Sequence, residues 1–318
     1  MKKTDRAISV KGLYKSYQDK SVLTDVNFEV ERGTVYSLLG SNGAGKTTTT
    51  KMLTTLLRPD VGELRVSGHD VIREPEKVRE VISLTGQFAS VDESLTGREN
   101  LLLIGKLNHI AGPKERADEL LAYFNLTDSA NRFVSTYSGG MKRKLDIAMS
   151  LVNRPEMIFL DEPTTGLDPQ SRHSMWKIIR ELKDSGVTIF LTTQYLEEAE
   201  QLADKIGILD KGSILVEGTA RELKNMLPQG VAEFTFADEE DFARACRLVS
   251  EFETMETQEE NKLTIYTDGT ANMLSQLFQK FASNGGGIKE FTQKQPTLED
   301  VFLTLIGEKE GIKNEETC

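Results

Sequence analysis

The run from Val35 to Thr48 has the sequence Val35-Tyr36-Ser37-Leu38-Leu39-Gly40-Ser41-Asn42-Gly43-Ala44-Gly45-Lys46-Thr47-Thr48. Its apolar first half predicts a buried strand, and residues 40–47 match the pattern G-x-x-x-x-G-K-[ST] of a phosphate-binding loop that leads into a helix. Glycines let backbone N–H groups curl around phosphate oxygens without a clash from Cβ. We expect Lys46 to reach the β- and γ-phosphates and the Thr47 hydroxyl to bind Mg²⁺. The positive end of the helix dipole points at the same phosphates.

Composition limits the classes of protein to which the chain can belong. Its 318 residues are enough for about two domains with stable cores. The formal net charge is -11, and no cluster of lysine or arginine predicts nucleic-acid binding. Two cysteines, Cys246 and Cys318, fit a reducing compartment without disulfides. Because we find neither a signal-peptide pattern nor the ~20 apolar residues of a membrane span, we expect a cytosolic chain unless it docks on another protein.

Two short strand patterns, 8–13 and 25–30, precede the phosphate loop and predict an antiparallel edge. The polar connection at 15–20 contains Tyr17. Its ring could stack on a nucleotide base by its π-face, or it could simply pack on the edge of the sheet.

Another short strand pattern, 82–85, ends at Gly86-Gln87, and the chain then becomes polar and helical. Gln87 could offer its amide oxygen to a metal ion or its water, although most glutamines at strand ends are only solvated. The stretch from Leu101 to Leu107 is amphipathic. It could pack on a partner or on its own subdomain, and the sequence does not choose between them.

The helix N-terminus predicted at 138–141 is a second candidate phosphate-binding site. Ser138 is a plausible N-cap, and Gly139 and Gly140 leave the first backbone N–H groups open to an anion. Met141 completes the segment. Ordinary helix capping explains these residues when they are considered alone.

Two carboxylates follow the buried-strand pattern at 155–160, which is apolar from Met157 to Leu160. Asp161 and Glu162 would stand at the carboxyl end of a parallel strand, where such sheets bind ligands. We expect Asp161 to hold Mg²⁺ directly or through water. Glu162 would position the water that attacks the γ-phosphate and accept its proton. A solvated acidic turn is the alternative, which the apolar strand argues against.

The order of strand and helix patterns predicts the domain organisation. Strands alternate with helices from 34 to 210, which predicts a mostly parallel sheet covered by helices in a domain at 1–220. A helical region at 88–154 would be inserted in this domain. Residues 221–307 predict a small α+β domain, and the charged segment 308–318 predicts a flexible tail.

The motifs resemble, in their order along residues 8–218, those of the nucleotide-binding subunit of ABC transporters, a P-loop NTPase fold. The combination is far more specific than any single motif. The resemblance identifies 40–47 as the Walker A loop, Gln87 as the Q-loop, Ser138 to Met141 as the signature motif, Asp161 and Glu162 as the Walker B pair, Asp168 as the D-loop and Tyr17 as the base-stacking aromatic residue. Met141 stands where many members have glutamine, which should leave the Ser138 and glycine contacts in place.

The resemblance also implies ligands and partners. ATP and Mg²⁺ would bind, and two copies of the chain would form a head-to-tail dimer in which the signature of one closes on the ATP held by the other. A separate membrane permease would rest near Gln87 and the inserted helices. This arrangement places the chain on the cytoplasmic side of a bacterial membrane. The segments 192–200 and 296–302 look like the daunorubicin-resistance type of antibiotic and multidrug exporter ATPase.

One residue departs from the family pattern. Gln194 stands where most of the family has the switch histidine that contacts the γ-phosphate. Glutamine can donate a hydrogen bond there but cannot become an imidazolium. We therefore expect Glu162 to be the catalytic base and Gln194 to be a neutral sensor of the γ-phosphate.

Two other functions remain as alternatives. The first, suggested by Gln194, is a module that binds ATP and closes but hydrolyses it weakly. The second is a soluble ABC ATPase that acts on ribosomes or DNA. Such proteins usually carry two cassettes, coiled-coil insertions or basic surfaces, none of which we find in this acidic sequence with a single cassette.

Overall fold

The chain divides into two compact units, residues 1–220 and 221–318. The structure is a computed structural model and describes residues 6–18, 20–227, 230–284, 287–294 and 296–305. The tail expected at 308–318 lies outside these residues. Within the described ranges, none of the helices has the length and apolar character that crossing a membrane requires.

Strands and helices alternate through the first unit, as the sequence predicts. Its strands are β1 (Arg6–Tyr17), β2 (Lys20–Glu31), β3 (Val35–Leu39), β4 (Val61–Val66), β5 (His69–Asp70), β6 (Ile82–Thr85), β7 (Met157–Asp161), β8 (Thr188–Thr193), β9 (Lys205–Asp210) and β10 (Ser213–Gly218). Its helices are α1 (Lys46–Leu53), α2 (Pro75–Val81), α3 (Gly97–Leu107), α4 (Pro113–Tyr123), α5 (Gly139–Ser150), α6 (Pro169–Asp184) and α7 (Leu196–Leu202). A short helix, α8 (Ala220–Lys224), begins at the last residue of this unit and continues into the second.

Six of these strands form the central sheet, in the order β10-β9-β3-β8-β7-β6. All neighbours pair in parallel except β10, which is antiparallel to β9. The predicted α/β class with a mostly parallel sheet is therefore confirmed. Leu39 lies beside Thr193, and Asp161 lies beside Thr192. These registers bring the carboxyl ends of β3, β8 and β7 to one edge of the sheet.

The first two strands differ from the sequence prediction. β1 and β2 each contain 12 residues, so that Tyr17 ends a strand and does not lie in a loop. They pair with β4 and β5 in a separate antiparallel sheet and are not the edge of the parallel one. The ring of Phe28 stacks on Tyr36 and Phe190, with ring centroids 5.2 and 5.8 Å apart. Because the two sheets pack face to face, these aromatic side chains are buried. Pairing of the strands at the edge of the central sheet would leave Phe28 in water.

The inserted helices α3, α4 and α5 pack on their own subdomain. Leu101 of α3, Leu121 of α4 and Leu145 of α5 belong to one buried cluster that also includes side chains of the central sheet. The start of α3 is fixed by a capping box between Thr96 and Glu99. Other apolar residues of α3 remain exposed and are available to a partner.

The second unit is α+β, as the sequence predicts, with one short strand, β12, that it did not predict. Its elements are β11 (Gly230–Phe236), α9 (Glu239–Leu248), β12 (Thr254–Thr257), β13 (Lys262–Thr267), α10 (Ala271–Ser283) and β14 (Ile288–Lys294), followed by a helical segment at 298–305. The antiparallel sheet has the order β12-β13-β11-β14. Its core is built around Phe234, whose ring contacts those of Phe281 and Phe291.

A buried carboxylate links α7 to the segment after β7. Oε1 of Glu198 accepts hydrogen bonds from Oγ1 of Thr164 at 2.8 Å and from Nε1 of Trp176 at 3.1 Å. The residue is fully buried. Burial raises the pKa of Glu198 above its usual 4.5, and hydrogen bonds from Thr193, Thr164 and Trp176 oppose the rise.

We predict that the stability of Glu198→Gln relative to wild type increases as pH rises. A carboxyl group with a raised pKa in the folded state binds its proton more tightly there than in the unfolded chain. The stability it contributes is complete below its usual pKa and is lost as pH rises through the raised value. Glutamine cannot ionise, and its amide oxygen can still accept from Thr164 and Trp176. Thermal unfolding at about pH 5 and about pH 8 measures the effect, and a Tm difference that does not change with pH would contradict it.

Candidate nucleotide-binding site

The phosphate loop joins the carboxyl end of β3 to α1, as predicted. Gly43 and Gly45 have φ values of 82° and 113°, in the region that favours glycine. A Cβ atom on Gly45 would lie 2.5 Å from Cδ2 of Leu23, and one on Gly40 would lie 2.3 Å from the carbonyl oxygen of Leu209. The glycines therefore allow β2 and β9 to pack closely against the loop.

Lys46 begins α1 and is almost completely buried. Its Nζ donates to the carbonyl oxygens of Gly40 at 2.8 Å and Ser41 at 3.1 Å, and it lies 3.3 Å from Oε1 of Glu162. The ammonium group is thus folded back over the loop, near the backbone N–H groups of the first helical turn, which have no acceptor within the helix. An anion bound here would meet both a positive charge and hydrogen-bond donors. The remaining positions of the predicted loop are Asn42, Ala44 and Thr48.

Glu162 follows β7 with a backbone conformation that is unusual for a residue with a side chain. Its φ is 49°. Its N–H donates to both the carbonyl oxygen and Oγ1 of Thr192 on β8, each at 3.1 Å. The Thr192 hydroxyl in turn donates to Oδ1 of Asp161. Such strain persists only where the surrounding structure holds it, and Thr192 provides part of that support.

The carboxylate of Glu162 is buried among groups that can donate to it. In addition to Lys46, Oγ1 of Thr165 donates to its Oε2 at 3.2 Å, and Nε2 of Gln87 contacts the same oxygen at 3.4 Å. Gln87 lies two residues after the end of β6. The predicted Q-loop and Walker B residues are therefore in contact, although 75 positions separate them in the chain.

Thr47 and Asp161 form the oxygen pair expected to hold a metal ion. Oγ1 of Thr47 lies 3.4 Å from Oδ1 of Asp161. A hydroxyl and a carboxylate at this separation fit Mg²⁺, which proteins bind through one or two carboxylates together with phosphate oxygens and water. The third expected ligand, Gln87, contacts Glu162 in this structure.

The signature segment begins α5 and lies apart from the phosphate loop of its own chain. Oγ of Ser138 caps the helix by accepting from the N–H of Met141 at 3.3 Å. A Cβ atom on Gly140 would lie 2.7 Å from Oγ of Ser171, whereas one on Gly139 would meet nothing within 4 Å. In the described part of the chain, no hydrogen bond or ion pair links this segment to the phosphate loop.

Asp168 of the predicted D-loop caps α6, next to the signature. Its carboxylate accepts from the N–H of Ser171 at 2.9 Å and from its hydroxyl at 2.5 Å, and these bonds hold the pKa of Asp168 below its usual value. Because Ser171 also lies against Gly140, the D-loop and the signature of one chain are packed together.

Tyr17 and Gln194 occupy positions bordering the loop. Tyr17 is 48% exposed and pairs with Lys20 at the end of the β1–β2 hairpin, whose residue Leu23 touches Gly45. Gln194 directly follows β8, and the carbonyl oxygen of the preceding Thr193 accepts from the N–H of Gly40 at 3.2 Å. Tyr17 and Gln194 therefore lie on segments that contact the loop, through Leu23 and through Thr193 respectively.

Two residues that support the site, Thr192 and Arg143, were given no role in it by the sequence motifs. Arg143 of α5 is buried, and its guanidinium donates to the carbonyl oxygens of Gly86 and Pro163 and pairs with Asp146. The available signal was an arginine and an aspartate three positions apart on an otherwise apolar helix face, a spacing at which side chains can meet.

Comparison with known proteins agrees with this geometry. Residues 23–165 match the family described as ABC transporter, and residues 218–306 match the C-terminal domain of ATP-binding proteins like DrrA1-3. The chain is 46% identical over 314 residues to the daunorubicin/doxorubicin resistance ATP-binding protein DrrA of Streptomyces peucetius, covering 95% of this chain and 93% of that protein. It is 32% identical over 305 residues to the linearmycin resistance ATP-binding protein LnrL of Bacillus subtilis, covering 94% and 98%.

Solved structures resemble the first unit. An ATP-binding subunit of an ABC transporter matches with a TM-score of 0.62 at 32% identity, over 69% of this chain and 92% of that one. A dimeric ATP-binding cassette in a post-hydrolysis state, bound to ADP and Pi, matches with a TM-score of 0.61 at 25% identity, over 67% and 98%. These findings confirm the predicted ABC cassette fold and its resemblance to the daunorubicin-resistance type. The chain belongs to the ABC transporter family, as an ATP-binding and ATP-hydrolysing subunit.

Proposed function

We propose that the chain powers the export of a drug, antibiotic or lipid-like compound through a separate permease, by hydrolysing Mg²⁺-ATP between two copies of itself. The convergence of Lys46, Asp161 and Glu162 at one edge of the sheet carries the proposal. The names of nearly full-length relatives support export, since they describe resistance to daunorubicin and linearmycin and, for a Ralstonia nicotianae protein 36% identical over 303 residues, Nod factor export.

One chain supplies the residues that bind the base, the phosphates and Mg²⁺ of ATP. Tyr17 stacks on the base, the loop and Lys46 hold the phosphates, and Thr47 and Asp161 hold Mg²⁺, with Gln87 acting through water. When bound, Mg²⁺ neutralises charge on the phosphate oxygens. An ATP phosphate competes with Glu162 for the ammonium group of Lys46, because the two now lie 3.3 Å apart. Binding therefore releases the carboxylate for its part in hydrolysis.

Hydrolysis uses the groups at the ends of β7 and β8. Glu162 positions the attacking water and takes its proton, while Gln87 steadies the carboxylate through the contact with its Oε2. Gln194 donates a hydrogen bond to the γ-phosphate and remains neutral. This division of roles requires only one base.

We predict that Glu162→Gln lowers kcat at least about 100-fold while ATP affinity stays within a few-fold of wild type, because removing a general base affects the chemical step more than binding. Phosphate release and equilibrium ATP binding measure the two effects. Glu156→Gln is the matched control, since Glu156 precedes the same strand but pairs with Arg32 on the surface. Wild-type turnover by Glu162→Gln in the reconstituted complex would disprove the assignment.

Another copy of the chain supplies the signature segment, which completes the ATP site. Ser138 and Gly139 are exposed, and the packing of their own chain leaves room for a Cβ at Gly139. Close approach by a partner's phosphates accounts for a glycine there. The dimeric cassette bound to ADP and Pi supports the pairing of two copies.

The permease docks on a groove beside the Q-loop, which places the chain at the cytoplasmic face of a bacterial membrane. The groove has a volume of ≈ 410 Å³ and is lined by the segment that follows α1, by β6 and by residues of α3 and α5, including Leu56, Leu84, Ile104 and Met149. Phe88, which follows Gln87, is 83% exposed, and Leu107 of α3 is also exposed. Both residues belong to segments that also line the groove, Phe88 between Leu84 and Ser90 and Leu107 between Ile104 and Asn108, and exposed apolar side chains of this kind mark interaction sites.

We predict that Phe88→Ala weakens binding to the permease at least about tenfold, because exposed aromatic residues are frequent anchors of interfaces. Co-purification of the chain with its co-expressed permease partner measures the effect. Tyr123→Ala is the control, since Tyr123 is also partly exposed but lies beside Pro155 and Val187, before the amino ends of β7 and β8. Equal co-purification of the two variants would contradict docking at this groove.

A further inference from the structure

We infer that Arg143, together with Asp146, is a positioning residue for ATP hydrolysis, which holds the main chain on both sides of Glu162 and just before Gln87. The inference rests on the proposed role of Glu162. It adds a function for the second turn of α5, beyond the signature motif at its start.

The guanidinium of Arg143 bonds to three main-chain carbonyl groups on two segments of the site. Nε donates to the carbonyl oxygen of Pro163 at 2.9 Å, and Nη2 donates to that of Asp161 at 3.4 Å. These residues flank Glu162 in the chain. Nη1 donates to the carbonyl oxygen of Gly86 at 2.6 Å, directly before Gln87. One planar group thus connects the carboxyl ends of β6 and β7.

These bonds help to hold Glu162 in its strained backbone conformation. A residue other than glycine with a φ of 49° is strained and relaxes unless its neighbours hold it. Thr192 fixes the N–H of Glu162, and Arg143 fixes the carbonyl groups before and after it. Only arginine offers several N–H donors in a rigid fork, so lysine keeps the charge but cannot make all three bonds.

Asp146 completes the arrangement and connects it to the groove. Its Oδ2 lies 3.1 Å from Nη1 of Arg143, and its Oδ1 accepts from the N–H of Ser90 at 3.0 Å. Both members of the ion pair are buried. Burial lowers the pKa of Arg143 and raises that of Asp146, so each charge depends on the other for compensation. Asp146 and Ser90 also line the proposed permease groove.

A purely structural ion pair would affect stability but not the chemical step in particular. The test therefore measures kcat, the dissociation constant for Mg²⁺-ATP and thermal stability in the full-length chain. Arg143→Lys should lower kcat at least about tenfold, since displacing a catalytic group by about 1 Å can cost ~100-fold. The dissociation constant should change less than about twofold, because the phosphate loop is untouched.

Arg116→Lys is the matched control. Arg116 of α4 also donates its guanidinium to two carbonyl oxygens, those of Leu151 at 2.6 Å and Val152 at 3.4 Å, but none of these groups contacts Glu162 or Gln87. The kcat of Arg116→Lys should stay within about twofold of wild type, as expected for a substitution remote from the reacting atoms. Equal losses of kcat in Arg116→Lys and Arg143→Lys, or no loss in Arg143→Lys, would overturn the inference.

A second variant serves if Arg143→Lys does not fold. Asp146→Asn keeps the size of the side chain and an oxygen that can accept from Ser90, but it removes the charge that faces Arg143. It should also lower kcat with little change in ATP affinity, and an unchanged kcat would overturn the inference. Glu162→Gln is measured in parallel: if it loses turnover while Arg143→Lys and Asp146→Asn keep it, the inference fails and the proposed base stands. If Glu162→Gln keeps full turnover, the proposed base fails instead.

Discussion

Parallel pairing of β3, β8, β7 and β6 is the constraint on which the site depends. It brings the phosphate loop, Asp161, Gln194 and Gln87 to the same edge of the sheet, although the chain separates them widely. Chain reversal after β7 then places Glu162 in a left-handed conformation within 3.3 Å of Lys46. The sheet therefore determines which side chains meet, and the strained turn determines where the proposed base points.

The first two turns of α5 differ in how they connect to this edge of the sheet. The first turn of α5 caps itself and packs on α6, so its exposed Ser138 and Gly139 are free to meet another molecule. The second turn of the same helix reaches back to the sheet through Arg143. A movement of α5, whether caused by a second copy or by a permease, would thus be transmitted to the main chain around Glu162.

Much of this arrangement was predictable from sequence, because the chemistry of the phosphate loop and of Asp161-Glu162 resides in contiguous motifs that follow apolar strands. The separate sheet that contains β1 and β2 could not be predicted from sequence. Alternating apolar residues fit a strand that pairs at the edge of the central sheet as well as one whose sheet packs on its face. Arg143 was missed for another reason. Most of its partners are main-chain carbonyl groups, which leave no mark on the sequence.

The central claim is that each ATP site combines the phosphate loop of one chain with the signature of another. Mixing two inactive variants, Lys46→Ala and Ser138→Arg, tests it most directly, by measuring phosphate release before and after mixing. In a head-to-tail dimer, a mixed pair contains one intact site, so mixing should restore up to about a quarter of wild-type turnover if the chains pair at random. A mixture that stays as inactive as its components, or full turnover by Ser138→Arg alone, would contradict the shared site.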